Sequence, residues 1–158
     1  ERLKQMLRSN PARIDYYERY QNIIEQYNAE KDRSEIERIF DELTKLAQDL
    51  SQEEKRYVRE GFSSDEELSV FDLLFKEDLN KKEIETIKKV AVDLLAKVKA
   101  KISELDHWTD KTETKAIIDN LIRDTLWAEL PESYDELSVS AHRQEIYQYI
   151  YMRYKDVA

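Results

Sequence analysis

The stretch from Asn80 to Leu105 constrains the fold more than any other part of this 158-residue chain. Its apolar side chains recur at steps of three and four residues, the spacing that places them on one face of an α-helix. The members of this row are Ile84, Ile87, Ala91, Leu94, Val98, Ile102 and Leu105. Asn80 is suited to cap the helix, with Glu83 completing a capping box. About 26 residues at ~1.5 Å each predict a rod of roughly 39 Å, long enough to span a small domain.

The composition predicts that the rest of the chain is helical as well. One glycine, two prolines and 39% charged residues are typical of helices joined by short polar loops. Apolar residues make up 41% of the chain, too many for a disordered protein. Further helices are predicted at about 11–28, 34–50, 51–58, 65–75, 110–130 and 141–156. The predicted fold class is therefore all-α, a single domain of about six helices packed around the long helix at about 80–105.

Several helix boundaries are predicted from the residues that cap them. Ser34, Ser51 and Asp110 each stand three positions before a glutamate, which is the spacing of a capping box. Gly61 is predicted to stop a helix in a left-handed conformation, where another residue would carry a steric cost.

The Asn10-Pro11 pair predicts a break near the start of the chain, because proline disfavours helical geometry at the preceding residue. Residues 1–9 are therefore expected to be the tail of a preceding element, and residues 10–158 to form the helical domain. The chain begins at Glu1 rather than at a methionine, so we expect it to be a fragment of a longer protein.

The net charge of −9 is unevenly distributed along the chain. Residues 80–105 carry seven basic and four acidic side chains, a net charge of +3 within an acidic protein. A free-standing DNA-binding domain is usually basic overall, which this chain is not. Lysines on a solvated helix face explain the local excess, and a local approach to DNA phosphates is the alternative. The possible DNA contacts are Lys88, Lys89, Lys97 and Lys101.

Tyrosines are concentrated in the first and last predicted helices. A tyrosine ring is buried readily while its hydroxyl seeks a polar partner, so tyrosines suit partly hydrated contacts. One interpretation is that the two terminal helices pack on one another and bury these rings. The other is that part of this surface contacts a second domain or subunit. The possible partner contacts are Tyr147, Tyr149, Tyr151 and Tyr154.

Side chains for catalysis or metal binding are sparse. A phosphate-binding loop needs several glycines because the backbone wraps around the phosphate oxygens, so the single Gly61 excludes both the Walker and the dinucleotide types. His107 and His142 stand apart, and both are interpreted as structural or solvated because zinc needs three or four ligands. Glu-x-Lys triplets at 53–55 and 113–115 could contribute to a metal-dependent nuclease, but both fall in predicted first helical turns, where the dipole favours acidic residues. No catalytic, cofactor-binding or metal-ligating residue is predicted.

Three blocks of sequence stand out by the order and spacing of their residues. The first block is Asn10 to Tyr20, followed by Ile24 and Tyr27-Asn28. The second comprises Gly61 to Leu68, with its Glu-Glu-Leu, and Phe71-Asp72-Leu73-Leu74-Phe75. The third is Trp108-Thr109 with Lys115, Ala116 and Leu130-Pro131. Together these blocks resemble the C-terminal helical domain of the motor and endonuclease (R) subunit of type I restriction enzymes. The resemblance runs from about residue 10 to the last helix.

The resemblance implies a non-catalytic domain of a cytoplasmic prokaryotic enzyme. In that family the full-length subunit carries a nuclease domain and two ATP-dependent motor domains, so ATP and Mg²⁺ are expected there and not in this fragment. The implied role is to dock the motor subunit onto a methyltransferase core of modification and specificity subunits. Two alternatives stay open: a surface that guides DNA along the basic long helix, and an intramolecular brace for the adjacent motor domain.

Overall fold

A computed structural model of the protein describes residues 1–29 and 32–155, and every regular element in that part is helical. Two short 3-10 turns, Pro11–Arg13 and Trp108–Asp110, accompany the α-helices. The α-helices of the described part are α1 Arg2–Ser9, α2 Ile14–Ala29, α3 Arg33–Glu54, α4 Arg56–Arg59, α5 Asp65–Leu74, α6 Lys81–Glu104, α7 Thr112–Glu129 and α8 Glu136–Tyr154. The predicted all-α class is confirmed.

The chain divides into two compact units, residues 1–66 and residues 67–158. The division falls in the first turn of α5. Whether residues 10–158 act as one assembly domain, and whether residues 1–9 belong to a preceding element, stay predictions.

In the first unit, α2 packs against both α1 and α3. Its buried core consists of Met6, Ile23, Ile39, Leu46 and Leu50. Met6 comes from α1, so the short first helix contributes to the same core as α2 and α3.

The boundaries of α3 differ from two of the predicted caps. Asp32, not Ser34, is the N-cap, and its side chain accepts a hydrogen bond from the Ser34 backbone N–H at 3.0 Å. Ser51 does not begin a new helix, because α3 continues through it and its hydroxyl donates to the carbonyl of Ala47 at 3.1 Å. A separate short helix does follow, but it begins only at Arg56.

Gly61 ends α4 as predicted. Its φ of 85° lies in the left-handed region. The backbone N–H groups of Gly61 and Phe62 donate to the carbonyls of Val58 and Tyr57 at 3.0 and 2.8 Å. These two bonds form a Schellman motif, which satisfies helix-end carbonyls that would otherwise lack a donor.

In the second unit, the long helix α6 has the predicted position and cap. The Asn80 side chain accepts from the backbone N–H of Glu83 at 2.8 Å, and the Glu83 carboxylate accepts from the Asn80 N–H at 3.2 Å. The predicted row is buried along most of its length, and Val90 and Leu95 widen it. Helix α7 packs against both α6 and α8.

The starts of α7 and α8 correct two predictions. Helix α7 begins at Thr112 without a side-chain cap, so the predicted cap at Asp110 is wrong. Its buried face uses Ile118, while Ile117 is 40% exposed. Helix α8 begins at Glu136, capped by Asp135, and therefore includes most of the stretch predicted as a connector up to residue 140. Its predicted end, Asp156, lies outside the described residues.

Candidate interaction surfaces

The tyrosines of α8 are largely engaged within the second unit. The Tyr147 and Tyr151 rings meet the Trp108 ring edge-on, with centroids 6.3 and 5.8 Å apart. Trp108 is fully buried, and its indole N–H donates to the backbone carbonyl of Tyr154 at 3.1 Å. Tyr149 is buried. Of the four, only Tyr147, Tyr151 and Tyr154 keep partly exposed surface for a partner.

Carboxylates neutralise part of the basic charge on α6. The Lys97 ammonium lies 3.0 Å from Asp93 and 3.1 Å from Glu129 of α7. Hydrogen bonds to these two carboxylates raise the pKa of Lys97. Lys101 lies 3.1 Å from Glu104.

The four candidate lysines do not lie on one side of α6. Lys88 lies 3.9 Å from Glu85, and Lys89 is exposed without an ion pair in the described part of the chain. At about 100° per residue, Lys88, Lys89, Lys97 and Lys101 sit at about 0°, 100°, 180° and 220° around the helix axis. They therefore cover more than half of the circumference instead of one flat strip. DNA contact by these lysines stays a prediction.

The two histidines occupy unrelated environments. His142 Nδ1 lies 2.8 Å from the carbonyl of Leu73 and therefore donates to it, which ties α8 to the end of α5. His107 is exposed and adopts a left-handed φ of 47° just before the second 3-10 turn. Residues 1–29 and 32–155 contain no cluster of three or more potential metal ligands.

The Glu-x-Lys triplet at 53–55 lies at the end of α3, not in a first turn as predicted. The Glu53 carboxylate is buried and accepts from Arg13 Nε at 3.0 Å and from Arg56 Nε at 2.8 Å. Burial alone would raise the pKa of Glu53, but the hydrogen bonds from Arg56 and Arg13 outweigh it, so that the pKa is lowered. Arg13 also forms a bidentate pair with Asp65. Glu53, the first residue of this Glu-x-Lys triplet, is thus part of an arginine network that stabilises the first unit.

The tyrosines of the first predicted helix belong to an apolar surface of the first unit that continues onto α3. We call it the aromatic face; its members are Tyr17, Tyr20, Ile24 and Tyr27 on α2 with Ile36, Phe40, Leu43 and Ala47 on α3. Tyr20, Tyr27 and Phe40 are 39%, 44% and 53% exposed. The rings of Tyr27 and Phe40 meet edge-on with centroids 6.0 Å apart. In the sequence, this surface is indicated by the unusual width of the apolar side of α2. That side is wider than one neighbouring helix can cover.

The aromatic face continues into a groove beside α1. The groove encloses about 520 Å³. Its apolar walls are formed by Leu3, Tyr17, Tyr20, Leu43, Ala47 and Leu50. The charged residues that line it are Glu1, Arg2 and Lys4.

The exposed aromatic residue Trp127 lies on α7 in the second unit and was not predicted as a contact residue. It is 54% exposed and lines a pocket of about 240 Å³ with Arg123 and Arg143. Both arginines are already paired, Arg123 with Asp124 and Arg143 with Asp119. The sequence did contain a signal for the exposure of Trp127. This tryptophan falls on the polar side of an amphipathic helix, outside the buried apolar stripe.

Comparison with known proteins identifies the family. The family model described as type I restriction enzyme HindI endonuclease subunit-like, C-terminal, matches residues 1–149. The chain belongs to this family. No curated protein and no solved structure matches the chain.

Membership confirms the resemblance to the C-terminal domain of a type I restriction enzyme R subunit. The match begins at residue 1, so it covers α1 and both compact units up to Tyr149. Among the described residues, no helix is long and apolar enough to cross a lipid bilayer.

Proposed function

We propose that this chain docks the motor and endonuclease subunit of a type I restriction enzyme onto its methyltransferase core of modification and specificity subunits. The observation that carries the proposal is the family match over residues 1–149. In this proposal the chain itself is non-catalytic. ATP and Mg²⁺ act in other domains of the full-length subunit.

The exposed apolar side chains support a role in protein contact. Tyrosine, tryptophan, phenylalanine and arginine are enriched at protein interfaces, and tryptophan, tyrosine and arginine carry much of the binding energy there. Phe40 and Tyr27 in the first unit and Trp127 in the second unit leave about half of their surface in solvent. Covering such groups with a partner would remove apolar area from water, which stabilises a complex.

Titration of the 158-residue chain into a purified methyltransferase core tests the proposal by calorimetry. We expect binding at or below tens of micromolar, with a negative heat-capacity change because apolar area is buried. An absence of binding in that range contradicts the proposal.

A deletion in the full-length subunit separates docking from a brace. Removing residues 10–158 should abolish assembly with the methyltransferase core and leave the ATPase of the motor domains intact. A brace predicts instead that ATPase activity is lost together with the fold of the motor, which thermal unfolding of the deleted protein would show.

Charge reversal separates docking from a DNA-guiding surface. Changing Lys88, Lys89, Lys97 and Lys101 to glutamate should leave binding to the methyltransferase core unchanged. A DNA-guiding surface predicts weak, strongly salt-dependent binding of the wild-type chain to duplex DNA, lost in this variant.

A further inference from the structure

We infer that the groove beside α1 and the adjoining aromatic face bind an amphipathic α-helix that carries carboxylates along one flank. This inference rests on the proposed function, because the helix would be supplied by the methyltransferase core. Beyond the docking function itself, we specify the surface of the chain that binds and the chemistry of the partner segment that it binds.

The two sides of the α2–α3 pair differ sharply in polarity. The side opposite the aromatic face is lined by Asp15, Glu18, Arg19 and Glu42, with polar residues between them. The aromatic face itself carries no charged member. Apolar stripes of helices normally face a core, so a helix pair whose rings on one side are about half exposed is incompletely packed there.

The shape of the surface fits a helix. Three helices form the groove walls, and a further helix can lay its ridges into a groove between two others. Tyr17 and Tyr27 are ten positions apart, which corresponds to about 15 Å along α2. A partner helix of roughly three turns would therefore cover the aromatic face, with apolar residues at steps of three and four.

The charge of α1 selects an acidic partner. Helix α1 contains Arg2, Lys4 and Arg8 and no carboxylate, although the chain has a net charge of −9. The carboxylate among the residues that line the groove is that of Glu1, the N-cap of α1. Arg2 pairs with Glu54 at 2.8 Å and Arg8 lies 3.5 Å from Glu1. Lys4 lines the groove and has no ion pair within the described residues. A carboxylate on the flank of a bound helix next to α1 would meet this unneutralised ammonium.

Ala47 offers a substitution that blocks the groove without disturbing the fold. It lines the groove, is exposed, and lies within α3. Ala47→Glu adds both volume and a negative charge, and glutamate is a good helix former, so α3 should remain stable. Ala96→Glu is the matched control, because Ala96 is an exposed alanine on α6 in the other unit. Circular dichroism and thermal unfolding verify that both variants are folded.

Lys4→Glu tests the charge of the partner. We expect it to weaken binding by about three- to tenfold and to reduce the salt dependence, as removal of a rim charge does. Lys45→Glu is its control, since Lys45 is exposed on the opposite side of α3.

A cross-linker at the aromatic face identifies the occupant. Replacing Phe40 by a photoreactive phenylalanine analogue should capture an acidic amphipathic segment of a core subunit, read by mass spectrometry of the linked peptide. The same analogue at position Trp127 is the control, because it measures non-specific cross-linking from another exposed aromatic position.

The deciding experiment is calorimetric titration of the full 158-residue variants into the methyltransferase core. The inference expects at least a tenfold weaker Kd for Ala47→Glu and a change within about twofold for Ala96→Glu. Equal binding by both variants overturns the groove assignment and leaves the proposed docking function standing. No binding by the wild-type chain overturns the docking function itself. A wild-type dimer that Ala47→Glu dissociates, or a Phe40-position cross-link to a second copy, overturns the acidic helix as occupant.

Discussion

At the scale of single residues, the buried arginine network is the feature that most depends on exact pairing. Arg13 is 4% exposed and contacts Glu53 and Asp65, at distances of 40 and 52 positions along the chain. Moving these charges from water into the interior costs free energy that only good pairing offsets. The network therefore holds the 3-10 turn before α2, the end of α3 and the first residue of α5 in one arrangement.

Arg13→Met should destabilise the chain strongly. Removing one partner of a buried pair leaves carboxylates without compensation, which costs about 3–5 kcal/mol. We expect the lower end of that range, because Arg56 still pairs with Glu53. Arg19→Met is the control, since the Arg19–Asp49 pair is also short, at 2.6 Å, but half exposed, and should cost no more than about 1 kcal/mol. Urea unfolding compares the two, and equal losses would contradict the account.

Tyr134 should make stability fall at alkaline pH. Its hydroxyl donates to the carbonyl of Leu74, and burial, with a smaller effect of the Glu83 carboxylate, raises the pKa of Tyr134 to about 12. A group whose pKa is raised by folding contributes stability below its unfolded value, about 10 for tyrosine, and loses it as the pH rises through the folded value. The unfolding free energy should therefore decline between about pH 10 and 12 less steeply in Tyr134→Phe than in the wild type. Parallel pH profiles of the two proteins would rule this out.

At the scale of helices, hydrophobic periodicity predicted which elements exist better than where they begin. The long helix was predicted correctly at both ends because Asn80 and Glu83 stand directly before its apolar row. Ser51 has the same spacing to a glutamate, yet it lies inside α3. Packing of Leu46 and Leu50 in the core extends α3 past this point, and such long-range packing cannot be read from a local motif.

Removing a true cap and a false one should have different effects. Asn80→Ala should cost about 1 kcal/mol, because the backbone N–H of Glu83 loses its acceptor. Ser51→Ala should change stability by no more than about 0.5 kcal/mol, since alanine is favoured within a helix. Chemical unfolding of both variants measures the contrast. Similar losses would show that the capping box does not stabilise α6.

Periodicity also failed to distinguish buried rings from exposed ones. The tyrosines of α8 stay candidates for partner contact, and within this group Tyr149 is buried while Tyr147 and Tyr151 pack on Trp108. Phe40 falls within a regular apolar stripe and is nevertheless 53% exposed. A stripe gives the apolar side of a helix, whereas the neighbours that cover it are fixed by contacts between distant segments.

At the scale of the whole molecule, net charge and exposed apolar surface differ from helix to helix. The chain is acidic overall, the lysines of α6 are scattered and partly neutralised, and α1 carries three basic residues and no acidic one. The aromatic face and its groove lie next to this basic helix. The fold class, the family and the tyrosines of α2 followed from the sequence, but the continuation of this surface onto α3 and the groove beside α1 depend on the packing of three helices.

Competition for the methyltransferase core tests the central claim, that this chain is the docking element of the R subunit. The core is incubated with increasing amounts of the isolated 158-residue chain before the full-length subunit is added, and native gels measure the assembled enzyme. The account predicts that the wild-type chain lowers assembly in a dose-dependent way and that Ala47→Glu does not. Undiminished assembly at a large excess of the wild-type chain would contradict it.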